Sequence, residues 1–288
     1  MTGTQIENSI RRQLRHEQGR FDHQRIIDEI NAGLYDFCAE TFALTKVVTY
    51  SAEQFKRDYD FPDDFMDIRN IFYNNKPLTY RSQQEMKDIF ARQGEMGKTG
   101  TPGIYWQPLH GKFALHPIPD SNRLVATMAL SATAATNVIS VVSAATSGWN
   151  TIGYFLVSDV GEVIQYFNLT TNTFNMVTRA EEETSAETIA TDVSLRERDI
   201  KMDYYALDLG FIPDTMGNSP QLSKEYHNAV IDYALWRLLP EIQGGEQLSQ
   251  KYELNYLRVR REAKGKIKKQ QRSRLLEVRD VAFGNAIR

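Results

Sequence analysis

The stretch DHQRIIDEINAGLYDFCAET, residues 22–41, decides how the N-terminal part of this chain folds. Its apolar residues Ile26, Ile27, Ile30, Leu34, Phe37 and Cys38 recur every three or four positions, which is one stripe of a helix, and Asp22 stands at the N-cap position. The spacing predicts an amphipathic helix over 22–41. The preceding TQIENSIRRQLRHE, residues 4–17, is more polar and reads as a second, more exposed helix.

Beyond residue 41 the period changes. In DFPDDFMDIRNIFYNNKPLTYRS, residues 60–82, alternation through Met66, Ile68 and Ile71 to Tyr73, followed by Asn74-Asn75, predicts a β-hairpin. Ser82 and Glu85 form a capping box for a short helix, which the glycine-rich run 94–103 ends. GIYWQPL (103–109), GKFALHPIP (111–119), RLVATMAL (123–130) and RDIKMDYYALDLG (198–210) read as strands. Between the last two, residues 131–196 are rich in Ala, Ser, Thr and Val. Turn signals at Ser147-Gly148, Val160-Gly161 and Thr171-Asn172 separate four expected strands near 137–143, 152–158, 162–168 and 173–179. That pattern predicts an inserted small β-barrel or sandwich.

The C-terminal third is helical again. Tyr226, Val230, Ala234 and Leu238 share one stripe, with Ser223 as candidate N-cap and Pro240 and Gly244-Gly245 as the stop. A last long helix is expected from Glu246 to about 275, with Leu248, Tyr252, Asn255, Tyr256 and Val259 on one face and little apolar stripe past Val259. The expected class is α+β: an α-helical bundle of N- and C-terminal helices with a small antiparallel β region, an inserted all-β barrel or sandwich, and an extended C-terminal arm. The expected division is a discontinuous core over 1–130 and 197–257, an inserted domain over 131–196 and a basic arm over 258–288.

Composition narrows the function. With 41% hydrophobic and 25% charged residues in 288, the chain is globular. A net charge of −3 and a pI of 6.0 argue against attraction of the whole molecule to nucleic acid. The polar opening residues read as no secretory signal, and no apolar run of membrane-spanning length occurs, so a soluble protein is expected. The single cysteine, Cys38, rules out an internal disulfide and cysteine-based zinc clusters, and its place on the helical stripe makes it a core residue.

Catalytic signals are weak. Gly97-Lys98-Thr99 matches the end of a phosphate-binding loop, but the required first glycine is replaced by Arg92 and Pro102 follows. His16, His23, His110, His116 and His227 form no metal-ligand spacing and read as surface or interface residues. Asp58, Asp60, Asp63, Asp64 and Asp67 crowd ten positions without the glycine-bearing calcium loop; a proline-led turn feeding a strand explains them. No enzyme, cofactor or metal is expected.

The segment 258–274 differs. Nine basic residues, Arg258, Arg260, Arg261, Lys264, Lys266, Lys268, Lys269, Arg272 and Arg274, face one acid, Glu262. Such density repels itself, so something negative is expected alongside, either phosphate or the acidic face of a partner protein. Without aromatic residues the segment is no stacking platform for bases.

Three stretches carry a resemblance to the head-to-tail adaptor (connector) proteins of tailed bacteriophages. They are IIDEINAGLYDFCAET (26–41), DFPDDFMDIRNIFYNNKPLTYRSQQEM (60–86), and GKFALHPIPDS (111–121) continued across the insertion by residues 200–239. The insertion resembles a small β module of phage virion proteins, matched at Ser147-Gly148-Trp149, Gly153-Tyr154, Gly161-Glu162, Tyr166, Arg179, Thr184 and Ala186. Ala180 stands where the module has glycine, and its terminal histidine is absent. The resemblance implies a structural virion protein at the head-tail interface, assembled in the host cytoplasm. It implies a dodecameric ring of this chain beneath the portal protein, contacts with tail, nozzle or fibre proteins, and non-specific contact with passing DNA, without a membrane. The basic residues of 258–274, with Leu275, Leu276, Val278, Val281, Phe283 and Ile287 as apolar anchors, are then the expected portal-docking set. DNA binding through the basic tail and carbohydrate binding by the insertion, with Trp149 and Tyr154 as part of a platform, are the competing readings.

Overall fold

The computed structural model describes residues 1–14, 19–94, 96–109, 111–120, 124–133, 135–141, 147–182 and 184–284, with the side chains of 93, 109 and 270–284 outside that description. The chain is α+β and divides into two compact units. One comprises Met1–Lys46, Asp64–Asp67 and Tyr205–Arg288; the other comprises Val47–Asp63 and Ile68–Tyr204. The helices are α1 (Gly3–Leu14), α2 (His23–Thr41), α3 (Gln83–Gln93), α4 (His227–Leu238) and α5 (Glu246–Gly284), and all but α3 belong to the first unit. No described helix is long and apolar enough to cross a membrane.

In the first unit α2 forms as expected. The Asp22 carboxylate accepts the Arg25 N–H at 2.7 Å, and the expected stripe is buried. The helix ends at Phe42, whose φ of 58° turns the chain while its N–H bonds to Cys38 O. Burial pushes the Cys38 thiol up to about 12, so it is a core residue and not a nucleophile. Gly33 lets α4 approach, because a Cβ there would lie 3.0 Å from the Tyr233 ring. Helix α1 is less exposed than expected: Ile6, Ile10 and Leu14, four apart, are buried, and so are Gly3 and Glu7. The expected cap of α4 does not form. Ser223 makes no side-chain cap bond; a 3₁₀ turn over Lys224–Tyr226 precedes the helix and meets the free backbone groups instead.

The strands are β1 (Thr45–Tyr50), β2 (Asp58–Asp60), β3 (Phe65–Tyr73), β4 (Lys76–Pro77), β5 (Thr79–Tyr80), β6 (Ile104–Leu109), β7 (Lys112–His116) and β8 (Val125–Thr127). They continue as β9 (Val138–Ser140), β10 (Gly153–Val157), β11 (Val163–Tyr166), β12 (Asn168–Thr170), β13 (Thr173–Asn175), β14 (Thr178–Glu181), β15 (Ser194–Glu197) and β16 (Ile200–Ala206). The expected hairpin is β3–β4, with Asn74 and Asn75 at φ of 48° and 60°, a turn that asparagine tolerates. Ser82 and Glu85 cap α3 reciprocally, and Gly94 ends it.

The described strands form four sheets, ordered β1-β16-β3-β4, β2-β7-β6-β5, β14-β11-β10-β15-β8 and β12-β13-β9. The last two hold the insertion and, among the described residues, close into no barrel. The last expected strand of the insertion breaks into β13 and β14 at Met176, whose φ is 53°, and β12 is an additional strand. Both sheets share one core in which Trp149, Phe155, Tyr166 and Phe174 pack with ring centroids 4.8–6.4 Å apart. Gly153 is required there, since a Cβ would meet the Tyr166 hydroxyl at 2.7 Å.

The module's signature residues explain themselves in this setting. The fully buried Glu162 carboxylate takes two N–H groups from Arg179 at 2.6 Å each, plus the Ala180 N–H at 3.0 Å. Arg179 also donates to the carbonyls of Thr133 and Glu187, both at 2.6 Å. Thr184 accepts from Val163 N–H and donates to Glu181 O. Ala180 has φ of 59°, a left-handed backbone that glycine adopts more readily than alanine.

Candidate docking site on the C-terminal helix

Helix α5 spans 39 residues, about 58 Å at 1.5 Å per residue. Its first half packs against α4 and α2 on a face that keeps Tyr256 of the expected stripe but is turned away from Leu248. Leu248 and Leu254 are 53% and 69% exposed, whereas Ser249, Tyr256 and Ala263, seven apart, are buried. The Ser249 hydroxyl donates to Trp236 O at 3.0 Å. Tyr256 lies against Phe37, Tyr233 and Trp236. A face built of one serine, one tyrosine and one alanine carries almost no hydropathy signal.

Tyr256 also begins a charged ladder. Its hydroxyl donates to Asp36, and burial together with that carboxylate keeps it un-ionised. Arg260 bonds to the same Asp36 at 3.1 Å, with its guanidinium 5.6 Å from the Tyr256 ring centre. Lys264 pairs with Glu40 at 3.5 Å and Lys266 with Glu225 at 3.4 Å. Asp36 and Glu40 on α2 and Arg260 and Lys264 on α5 are both four apart and rise together, so the helices run parallel here. The negative groups expected alongside the basic segment are, for these three cations, acids of the same chain. Those acids escaped the sequence reading, although their matching four-residue steps were a usable signal. The exposed Lys–Glu pairs add little stability; the Asp36 cluster, built on a buried tyrosine, matters more.

The other predicted docking residues separate into two groups. Arg258, Arg261, Lys268 and Lys269 are exposed; among the described residues the last three make no ion pair. Arg258 acts with Lys251 on Asp232, whose carboxyl burial still raises to about 6. By the helical repeat these four basic residues fall on the side away from Tyr256. Ile267 and Lys268 complete a groove of about 220 Å³ with Thr41, Phe42, Asp67, Tyr205 and Lys264. Arg272, Arg274, Leu275, Leu276, Val278, Val281 and Phe283 lie on the continuing helix, and their side chains are outside the described part; Ile287 lies outside the described residues.

The catalytic candidates disperse. Asp58 pairs with Arg57, Asp60 with Lys112 and Asp64 with Lys46. Among the described residues no group of three or more His, Cys, Asp or Glu is placed to hold a metal. His16 and His110 lie outside the described residues, and His23 meets Glu7. His116 and His227 are buried rather than at the surface, the first edge-on to Phe90 and the second bonded to Leu222 O. Trp149 is a core residue of the insertion and offers no platform for a sugar.

A family model described as SU10 adaptor protein matches residues 1–281. The chain belongs to the SU10 adaptor protein family. It is a structural virion protein of the bacteriophage head-to-tail connection and not an enzyme, and membership implies contact with portal and tail components at that interface. The matched span of the adaptor takes in the insertion and most of α5. No curated protein matches the chain.

Proposed function

We propose that the adaptor assembles as a dodecameric ring between portal and tail, around the path of the DNA, and docks on the portal through the end of α5. The observation that carries this reading is the length of that helix. It continues for 16 residues beyond Lys268, to Gly284, about 24 Å, and this stretch holds Leu275, Leu276, Val278, Val281 and Phe283. Arg260, Lys264 and Lys266 are committed within the adaptor, so Arg258, Arg261, Lys268 and Lys269, with Arg272 and Arg274, remain to steer docking or to meet DNA phosphates. Ile287 adds a last anchor. Residues 1–130 and 197–257 serve as the ring core, 258–288 as the docking arm, and 131–196 as a β module that meets tail, nozzle or fibre proteins. Heterologous contacts that close by rotation need no symmetric patch on the subunit. Assembly takes place in the host cytoplasm, without membrane or cofactor.

The test is a deletion of residues 270–288. The cut lies beyond Ala263, Lys264 and Lys266, because ending the chain at Arg258 would also strip the bundle of its own contacts. The deleted adaptor should unfold at the same denaturant concentration as the full chain yet fail to co-sediment with portal rings. Equal co-sedimentation would refute the docking role. Docking led by apolar anchors changes little with salt, whereas DNA binding loses affinity with a log-log slope of about −0.9 per phosphate contact.

A further inference from the structure

The inserted module joins the rest of its unit through a seam of polar contacts. Asn75 donates to Ile152 O at 2.9 Å, Asn150 to Asn74 at 3.3 Å, and Ser51 to Glu197 O at 2.6 Å. The Asp199 carboxylate accepts the Ala52 N–H at 2.6 Å. Arg198 spends its guanidinium on the Thr49 hydroxyl and carbonyl and on Glu182. Two carboxyl groups are buried in this seam on either side of Arg198: Glu197, 6% exposed, and Asp199, 9% exposed.

We propose that this seam is a pH-sensitive joint, closed while Glu197 is protonated and loosened when Glu197 ionises beside Asp199. The groups facing Glu197 fit that behaviour. Asp199 opposes its charge, and Tyr73 on β3, Tyr154 on β10 and Tyr166 on β11 are themselves held un-ionised by burial, so they supply no positive charge. The nearby cations are engaged elsewhere, Arg198 with Thr49 and Glu182 and Lys201 with Asp203 at 3.7 Å. The backbone N–H groups of Leu124 and Asn150 are the donors that favour the carboxylate. Burial first, and Asp199 second, raise the Glu197 carboxyl from its ordinary 4.5 to about 7. The closed seam keeps a proton that the open one loses, so its extra stability is whole below 4.5 and gone above 7. The pH window is one in which most other carboxylates do not titrate. The inference does not depend on what the module or the ring binds.

Hydrogen exchange of the full chain at pH 4.5 and pH 7.5, corrected for intrinsic rates, tests it. Amides of residues 50–52, 73–75 and 150–154 should open on the order of a hundredfold more at the higher pH, while those of β11 keep their protection. Glu197→Gln should hold the seam closed at both pH values. Asp199→Asn, which keeps an oxygen for the Ala52 N–H, should move the midpoint to lower pH. A wild-type seam indifferent to pH, a Glu197→Gln chain with undiminished pH dependence, or an Asp199→Asn midpoint at or above wild type would each overturn the proposal. If Glu197→Gln does not fold, the wild-type profile and the Asp199→Asn midpoint decide it.

Discussion

Replacing Arg179 by Met should unpin the inserted module. Glu162 is fully buried, and Arg179 is its only side-chain cation among the described residues, through two bonds of 2.6 Å. The substitution leaves a buried carboxylate with backbone donors alone, the Ala180 N–H at 3.0 Å and the Glu187 N–H at 3.4 Å. It also takes the Arg179 donor from the Glu187 carbonyl and from the Thr133 carbonyl, which keeps the Thr136 N–H at 2.9 Å. Breaking one side of a buried pair costs about 3–5 kcal/mol, far more than an exposed pair is worth. Native-state hydrogen exchange at Phe155 and Ile164, in the core of the module, reads the effect directly. Adding Glu162→Leu removes the buried charge as well and should recover most of the loss, since an apolar replacement of the whole pair is often neutral. A single-variant loss under about 1 kcal/mol, or a double variant no better than the single one, would refute the reasoning.

Further outcomes follow from other places in the fold. Ala180→Gly should stabilise the module by up to about 1 kcal/mol, because the left-handed backbone at φ 59° penalises a Cβ; unchanged exchange at Ile164 would count against it. Asp36→Ala leaves the buried Tyr256 hydroxyl without its acceptor and should cost about 1–3 kcal/mol by urea unfolding, with faster proteolysis between 258 and 269. Asp232 has its carboxyl raised by burial from 3.8 to about 6, so the advantage of its neutral form is whole below pH 3.8 and lost above 6. Asp232→Asn should therefore raise stability at pH 8 and not at pH 3.5, as compared by urea midpoints; equal gain at both would exclude titration as the cause.

Local signals explain what was legible. Asp22, the Ile26-to-Cys38 stripe, the Asn74-Asn75 turn and the Ser82–Glu85 capping box work over a few residues, and each was found where the spacing predicted. Misreadings came where a partner distant in sequence supplied what local pattern lacked. His116 and His227 read as surface or interface residues, yet both are buried, the first edge-on to Phe90 and the second within hydrogen-bond distance of the Met1 amino group, 226 residues away. The insertion was readable as strand-rich, but its division into a five-stranded and a three-stranded sheet depends on pairings such as β10 with β15, some forty residues apart.

The basic segment draws the line between the two kinds of information. Sequence alone determined that nine cations stand against one acid on a long helix, and that self-repulsion requires compensation. Only the tertiary structure decided where that compensation lies for Arg260, Lys264 and Lys266: on Asp36, Glu40 and Glu225, up to 224 residues away. The reason is physical. Helical periodicity is a property of neighbouring residues and appears in any window, whereas charge pairing between helices depends on which faces the fold brings together.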